Sequence, residues 1–91
     1  MGKTRVHLFA RGRVQGVFFR QKTKQQAESL GVMGWICNLP DGSVEAVFEG
    51  EETAVKALVE YCHQGPSSSI VTNVDSTWEP YRGEFTNFEA Y

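Results

Sequence analysis

Apolar and polar residues alternate from the start of the chain. Val6, Leu8 and Ala10 fall on one side, with Arg5, His7, Phe9 and Arg11 on the other, which predicts a half-buried strand ending at Gly12. The period then changes. Phe19, Thr23, Ala27 and Leu30 recur at spacings of four, four and three, one face of a helix, and Gly31 is placed to stop it. The stretch "GWICNLPDGSVEAVFEG" predicts two strands, 34 to 39 and 43 to 49, joined by a turn at Pro40-Asp41-Gly42. Val55, Leu58, Val59 and Cys62 form the stripe of a second helix, with Glu51 and Glu52 at its positive end and Gly65-Pro66 closing it. Ser67-Ser68-Ser69 reads as a loop. Ile70, Thr72, Val74 and Trp78 predict a long strand, and Phe85 with Phe88 a short extra one.

The order is therefore β-α-β-β-α-β with a C-terminal tail strand. Its most economical packing is a ferredoxin-like α/β sandwich, a mainly antiparallel sheet with two helices on one face. In that arrangement the first and second strands run parallel with the third between them. Their C-terminal ends then share one rim of the sheet, about 10 Å apart for two strand spacings. The loop after Gly12 and the residue Asn38 are brought to that rim.

At 91 residues the chain is expected to form one domain, residues 1–91, that folds without disulfides or metals. No apolar run approaches the length of a membrane span and no secretory signal precedes the first strand, so a cytoplasmic protein is expected. Val6 stands where a myristoylation signal needs Ser or Thr. Cys37 and Cys62 lack CxxC spacing and are expected to be buried thiols, and with His7 and His63 they share no metal-ligand spacing. No metal and no cofactor are expected. The net charge of -2 hides an asymmetry: residues 1–24 hold seven of the nine basic residues and no acid. Such a split suggests a local anion site on an acidic body.

The stretch "GRVQGVFFR", Gly12 to Arg20, fits that site. It precedes a helix, where unpaired amides and the positive end of the dipole face outward. Gly16 accommodates a positive φ and leaves room for a ligand, and successive amides from Gln15 through Gly16, Val17, Phe18 and Phe19 to Arg20 form a nest for an anion. Arg20 adds a planar fork for phosphate or carboxylate oxygens. The Gly-Lys-Ser/Thr ending of a Walker A loop is absent. If Ile36 faces the helices, Asn38 projects to the same side and sets a carboxamide beside the cup.

Gly12-Arg13-Val14-Gln15-Gly16-Val17-Phe18-Phe19-Arg20 resembles the G-x-V-Q-G-V-x-F-R motif of the acylphosphatases. Gly34-Trp35-Ile36-Cys37-Asn38-Leu39-Pro40-Asp41-Gly42-Ser43-Val44-Glu45 is similar to that family's second motif, and the likeness spans nearly the whole chain. The resemblance implies hydrolysis of acyl phosphates to a carboxylate and inorganic phosphate, with Arg20 binding the phosphoryl group and Asn38 orienting the attacking water. It implies a monomer with a small-molecule substrate, inhibited competitively by inorganic phosphate, with no nucleic acid or membrane partner. Ala90 stands where the family usually has a larger aliphatic residue, a departure expected to touch packing alone.

A carboxylate leaving group needs no general acid, and the loop amides with Arg20 supply charge stabilisation without a metal. The rival reading is a ferredoxin-like RNA-binding module, since the same element order serves RNA recognition. Against it, Ser43 to Glu49 puts glutamates where RNA binding wants basic and aromatic residues.

Overall fold

Alternation buries one side of each central strand. In β1 (Lys3–Arg13), Val6, Leu8 and Ala10 are fully buried, as are Val44, Ala46 and Phe48 in β3 (Val44–Glu51). They pack into one core with the inward stripes of two helices: Phe19, Thr23 and Ala27 of α1 (Phe19–Leu30), and Val55, Leu58, Val59 and Cys62 of α2 (Glu52–Gln64). Each fully buried Val, Leu or Phe is worth about 1.5–3 kcal/mol over its exposed state. The remaining strands are β2 (Met33–Asn38), β4 (Ile70–Glu79) and β5 (Phe88–Ala90).

The computed structural model describes residues 2–91, and its strands lie in the order β4-β1-β3-β2-β5. All pairings are antiparallel except that of β5, which lies parallel to β2. β3 thus separates β1 and β2, which run in the same direction. This is the ferredoxin-like α/β arrangement with an added edge strand. Several strand boundaries shift by one or two residues from the sequence expectation, and two of the differences have a visible cause. Leu39 lies outside β2 because its amide donates to the Ser43 carbonyl at 2.8 Å and closes the turn. Phe85 is not in the tail strand; Phe88 is, and its ring lies 5.9 Å from that of Phe48, which fastens β5 to the core.

The register of β1 against β4 shifts between Arg11 and Gly12. Gly12 has φ 120°, and a Cβ there would lie 2.2 Å from the Ile70 carbonyl oxygen, so only glycine fits. A bulge of this kind bends a strand and re-aims the residues beyond it. Here the extra residue is Thr72 of β4, and β1 stays paired through Gly12 with Val71 and Arg13 with Ile70 before the chain leaves the sheet for the loop that precedes α1.

The face of the sheet away from the helices carries a buried ion cluster. Glu49, 2% exposed, accepts from the Arg82 amide at 2.8 Å, the Glu84 amide at 3.2 Å and Arg5 Nη1 at 3.2 Å. Arg5 also binds Glu79 at 2.9 Å and Glu84, and its guanidinium lies over the Phe85 ring. The segment 80–87, which has no regular structure, is thereby strapped across the sheet. Burial pushes the Glu49 carboxyl up, but the Arg82 amide, the Arg5 side chain and the Glu84 amide outweigh it and hold the group below its ordinary value. A carboxyl depressed on folding adds stability above its unfolded pKa of about 4.3, and that stability drains away as pH falls through the lower folded value. Glu49→Gln is predicted to cost about 1–3 kcal/mol in urea unfolding, because the carboxamide nitrogen cannot accept from the Arg82 or Glu84 amide and Arg5 keeps only Glu79 and Glu84. It should also flatten the loss of stability below about pH 4. Acid arms of equal steepness in parent and variant would show that Glu49 does not govern this range.

Candidate functional site

Val14 and Phe19, each 1% exposed, fix the two ends of the loop in the core. Between them the backbone must reverse within four residues, and it does so with two positive φ angles, 72° at Gly16 and 64° at Phe18. Nothing lies within 4 Å of where a Cβ on Gly16 would stand, so the requirement there is conformational and the approach to the backbone is open. Phe18 is the N-cap residue of α1. No side chain caps this helix end, and its first turn holds no acid.

The consequence appears in the hydrogen bonds. Among the described residues, the amides from Gln15 through Gln21 donate to no protein acceptor; the next amide, of Lys22, donates to the Phe18 carbonyl at 2.9 Å. An uninterrupted run of free donors at the positive end of a helix is a site for an anion.

Three side chains hold the loop in place. Gln15 Nε2 donates to the Leu39 carbonyl at 2.7 Å and to the Ser43 carbonyl at 2.8 Å. Ser68 Oγ donates to the Val17 carbonyl at 2.6 Å. Arg20 Nη1 donates to the Tyr91 main-chain oxygen, while the Tyr91 amide donates to the Ile36 carbonyl at 2.9 Å. The turn that receives Gln15 is itself fixed, since Asp41 Oδ1 accepts from the Ser43 amide at 2.9 Å and from its hydroxyl at 2.5 Å. Those bonds, the hydroxyl foremost, hold the Asp41 carboxyl below its ordinary range. Loop and second strand therefore meet at one rim, as the parallel run of β1 and β2 requires.

Gly16, Phe18, Phe19 and Arg20 line a cleft of about 510 Å³ together with Val14, Gln21, Lys24 and Ala90. Val17 packs against the core instead, and Gln15 turns its carboxamide to the β2–β3 turn. Asn38 is not in the cleft wall. It is the exposed last residue of β2, on the helix side with the fully buried Ile36, and it directly precedes the Leu39 carbonyl that Gln15 binds. Its carboxamide makes no side-chain hydrogen bond among the described residues. The alternation that puts Asn38 there puts Cys37 on the opposite face, half-buried and not buried as expected. Burial and then Glu45 raise the Cys37 thiol pKa against a smaller opposing effect of Arg20, and burial pushes the Cys62 thiol up to about 12 against the Thr23 hydroxyl. Both thiols are thus held in their unreactive form at neutral pH.

Four contributors were not expected from the sequence. Lys24 could have been found, because it lies one helical turn beyond Arg20 on the same face. Gln21 and Ser68 carry no such signal. Ala90, expected to matter only for packing, lines the cleft.

The chain matches the family model Acylphosphatase over residues 6–90. It is 49% identical to the acylphosphatase of Pelotomaculum thermopropionicum over 98% of this chain and 97% of that one. It is 55% identical to that of Rubrobacter xylanophilus over 94% of this chain and 78% of that one. The crystal structure of the acylphosphatase from Bacillus subtilis superposes with a TM-score of 0.92 at 32% identity, covering 97% of this chain and 98% of that one.

The anchoring of the loop predicts a measurable effect. Gln15→Leu should lower stability by about 1–2 kcal/mol, the cost of leaving carbonyls unpaired. It should also weaken inorganic phosphate binding, read by calorimetry, by about fivefold. A variant that loses stability yet binds phosphate like the parent would confine Gln15 to a structural role.

Proposed function

The chain belongs to the acylphosphatase family, and we propose that its loop holds the phosphoryl group of an acyl phosphate while water displaces the carboxylate. The observation that carries this reading is the run of unpaired amides from Gln15 to Gln21, with the Arg20 guanidinium beside it. Phosphoryl transfer asks a protein mainly for positioning and for stabilisation of charge on the equatorial oxygens. Main-chain amides suit this because the fold fixes them before the substrate arrives. Arg20 contributes a charge and two parallel donors.

The balance of the step is simple. A lone pair of water oxygen forms the new bond to phosphorus, in line with the departing oxygen. The bond between phosphorus and the acyl oxygen breaks, and its electron pair leaves as carboxylate. The proton passes to a phosphate oxygen or to solvent. Asn38, a carboxamide, takes no proton; it orients the water by hydrogen bonding from the end of β2. Inorganic phosphate presents the same oxygens to the same donors and so competes with substrate. One copy of the chain carries every group assigned here, which fits action as a monomer.

The RNA-binding alternative places the ligand on the open sheet face. Arg5 is engaged there by three glutamates, Arg11 by Asp75 at 2.5 Å, and His7 by Glu45 at 2.7 Å. Both arginines, Arg5 and Arg11, already have carboxylate partners, which disfavours a polyanion.

Arg20→Ala is expected to raise both the KM for benzoyl phosphate and the inhibition constant of phosphate by about 30-fold, equivalent to about 2 kcal/mol. Asn38→Ala should instead lower kcat by about 100-fold and leave phosphate affinity in place. Rates should be the same with and without a chelator. Unchanged phosphate inhibition in Arg20→Ala would remove the arginine from the site, and near-normal turnover in Asn38→Ala would remove the asparagine.

A further inference from the structure

Of the nine basic residues, all but one have surroundings that account for them. Arg13, Lys22 and Arg82 are exposed to water, and Arg5, Arg11 and Lys56 face carboxylates. Lys3 lies over the Tyr81 ring, and Arg20 donates to the Tyr91 main-chain oxygen. Lys24 is the exception. It is half-buried in the cleft wall and has no hydrogen-bond or ion-pair partner among the described residues. A cation partly withdrawn from water without a partner lowers stability, and a bound anion removes that loss.

The helix makes the position less favourable still. Arg20 stands in the first turn of α1, which holds no acid, and Lys24 follows it by four residues. Positive charge near a helix N-terminus and like charges four residues apart both work against the helix. Glu28, the one acid of α1, forms no ion pair with Lys24 among the described residues. Nothing in the chain itself offsets this pair of cations.

The phosphoryl group, held by the Gly16–Arg20 amides and the Arg20 guanidinium, accounts for one of the two. Four residues of helix advance the backbone by about 6 Å, so Lys24 stands one turn beyond that group. Helical side chains lean toward the N-terminus, which carries the Lys24 stem back along the same face as Arg20. The cleft, about 510 Å³, is larger than a phosphoryl group requires, and Gln21 and Lys24 are polar members of its lining beyond Arg20. What reaches that part of the cleft is the acyl group, so Lys24 faces its far end.

We infer that Lys24 is a specificity-determining residue whose ammonium pairs with a carboxylate at the far end of the acyl group, so that the cleft selects acyl phosphates of short dicarboxylic acids over their uncharged isosteres. The inference rests on the phosphoryl placement proposed above and adds the charge of the acyl group. Its test uses two phosphonates that cannot be hydrolysed and differ only at the far end: 5-phosphonopentanoate, which ends in a carboxylate, and pentylphosphonate, which ends in a methyl. Their dissociation constants are measured by calorimetry in the parent, Lys24→Met, Lys24→Arg and Lys24→Glu. The parent should bind the carboxylate-ended compound about five- to tenfold more tightly, as for a partly desolvated charge pair. Lys24→Met keeps most of the stem and should bring the ratio of the two constants close to one. Lys24→Arg should preserve the preference, and Lys24→Glu should invert it. A substitution that merely loosens α1 weakens both compounds together and leaves their ratio in place. A parent ratio near one, or a ratio that Lys24→Met leaves unchanged, overturns the assignment. Failure of the phosphoryl placement would look different: neither phosphonate would compete with inorganic phosphate in the parent, which would overturn both readings.

Discussion

A main-chain amide with no acceptor must find one outside the chain, and this fold leaves a consecutive run of them at one spot. That constraint organises the site. The amides from Gln15 to Gln21 are free because the chain turns through two positive φ angles and enters α1 without a side-chain cap. Their direction is set by anchors at both ends, and the anchors depend on the sheet. Without β3 between β1 and β2, Gln15 would have no Leu39 and Ser43 carbonyls to bind.

The division of labour comes from this arrangement. The core, built from Val6, Leu8, Ile36, Phe48 and the helical stripes, fixes where the loop begins and ends. Hydrogen bonds from Gln15 and Ser68 fix its shape. The charged groups are then split between two faces. Lys24 stands at the cleft without an ion-pair partner among the described residues and Arg20 binds there only the Tyr91 main-chain oxygen, whereas Arg5 is consumed by the cluster that straps segment 80–87 to the far side of the sheet. Basic residues that look alike in the sequence therefore do opposite things: Arg5 stabilises the fold and Arg20 remains available to an anion.

Much of this is legible in the order of residues alone. Period-two alternation locates β1 and β3, helical spacing locates both helices, and the element order predicts that Asn38 and the loop share a rim. The two motifs then give the loop and Asn38 their expected roles. The features that escape such a reading are of one kind. The Gln15 carboxamide binding Leu39 and Ser43, the Ser68 hydroxyl on Val17, and the Glu49 cluster with Arg5 all join residues far apart in sequence through single polar contacts. Such contacts leave no period to read. Phe85 looks like strand because it is aromatic and near Phe88, but its partner is the Arg5 guanidinium. Ala90 looks like a packing detail because its place in the cleft depends on β5 pairing with β2.

Backbone donors meeting an oxyanion are the central claim, and amide resonances report that meeting directly. Inorganic phosphate titrated into isotopically labelled protein should shift the amide signals of Gly16 to Arg20 saturably. Those of Arg5, Glu49 and Glu84 on the opposite face should stay where they are. Saturable binding that moves residues elsewhere and leaves the loop signals untouched would contradict the claim.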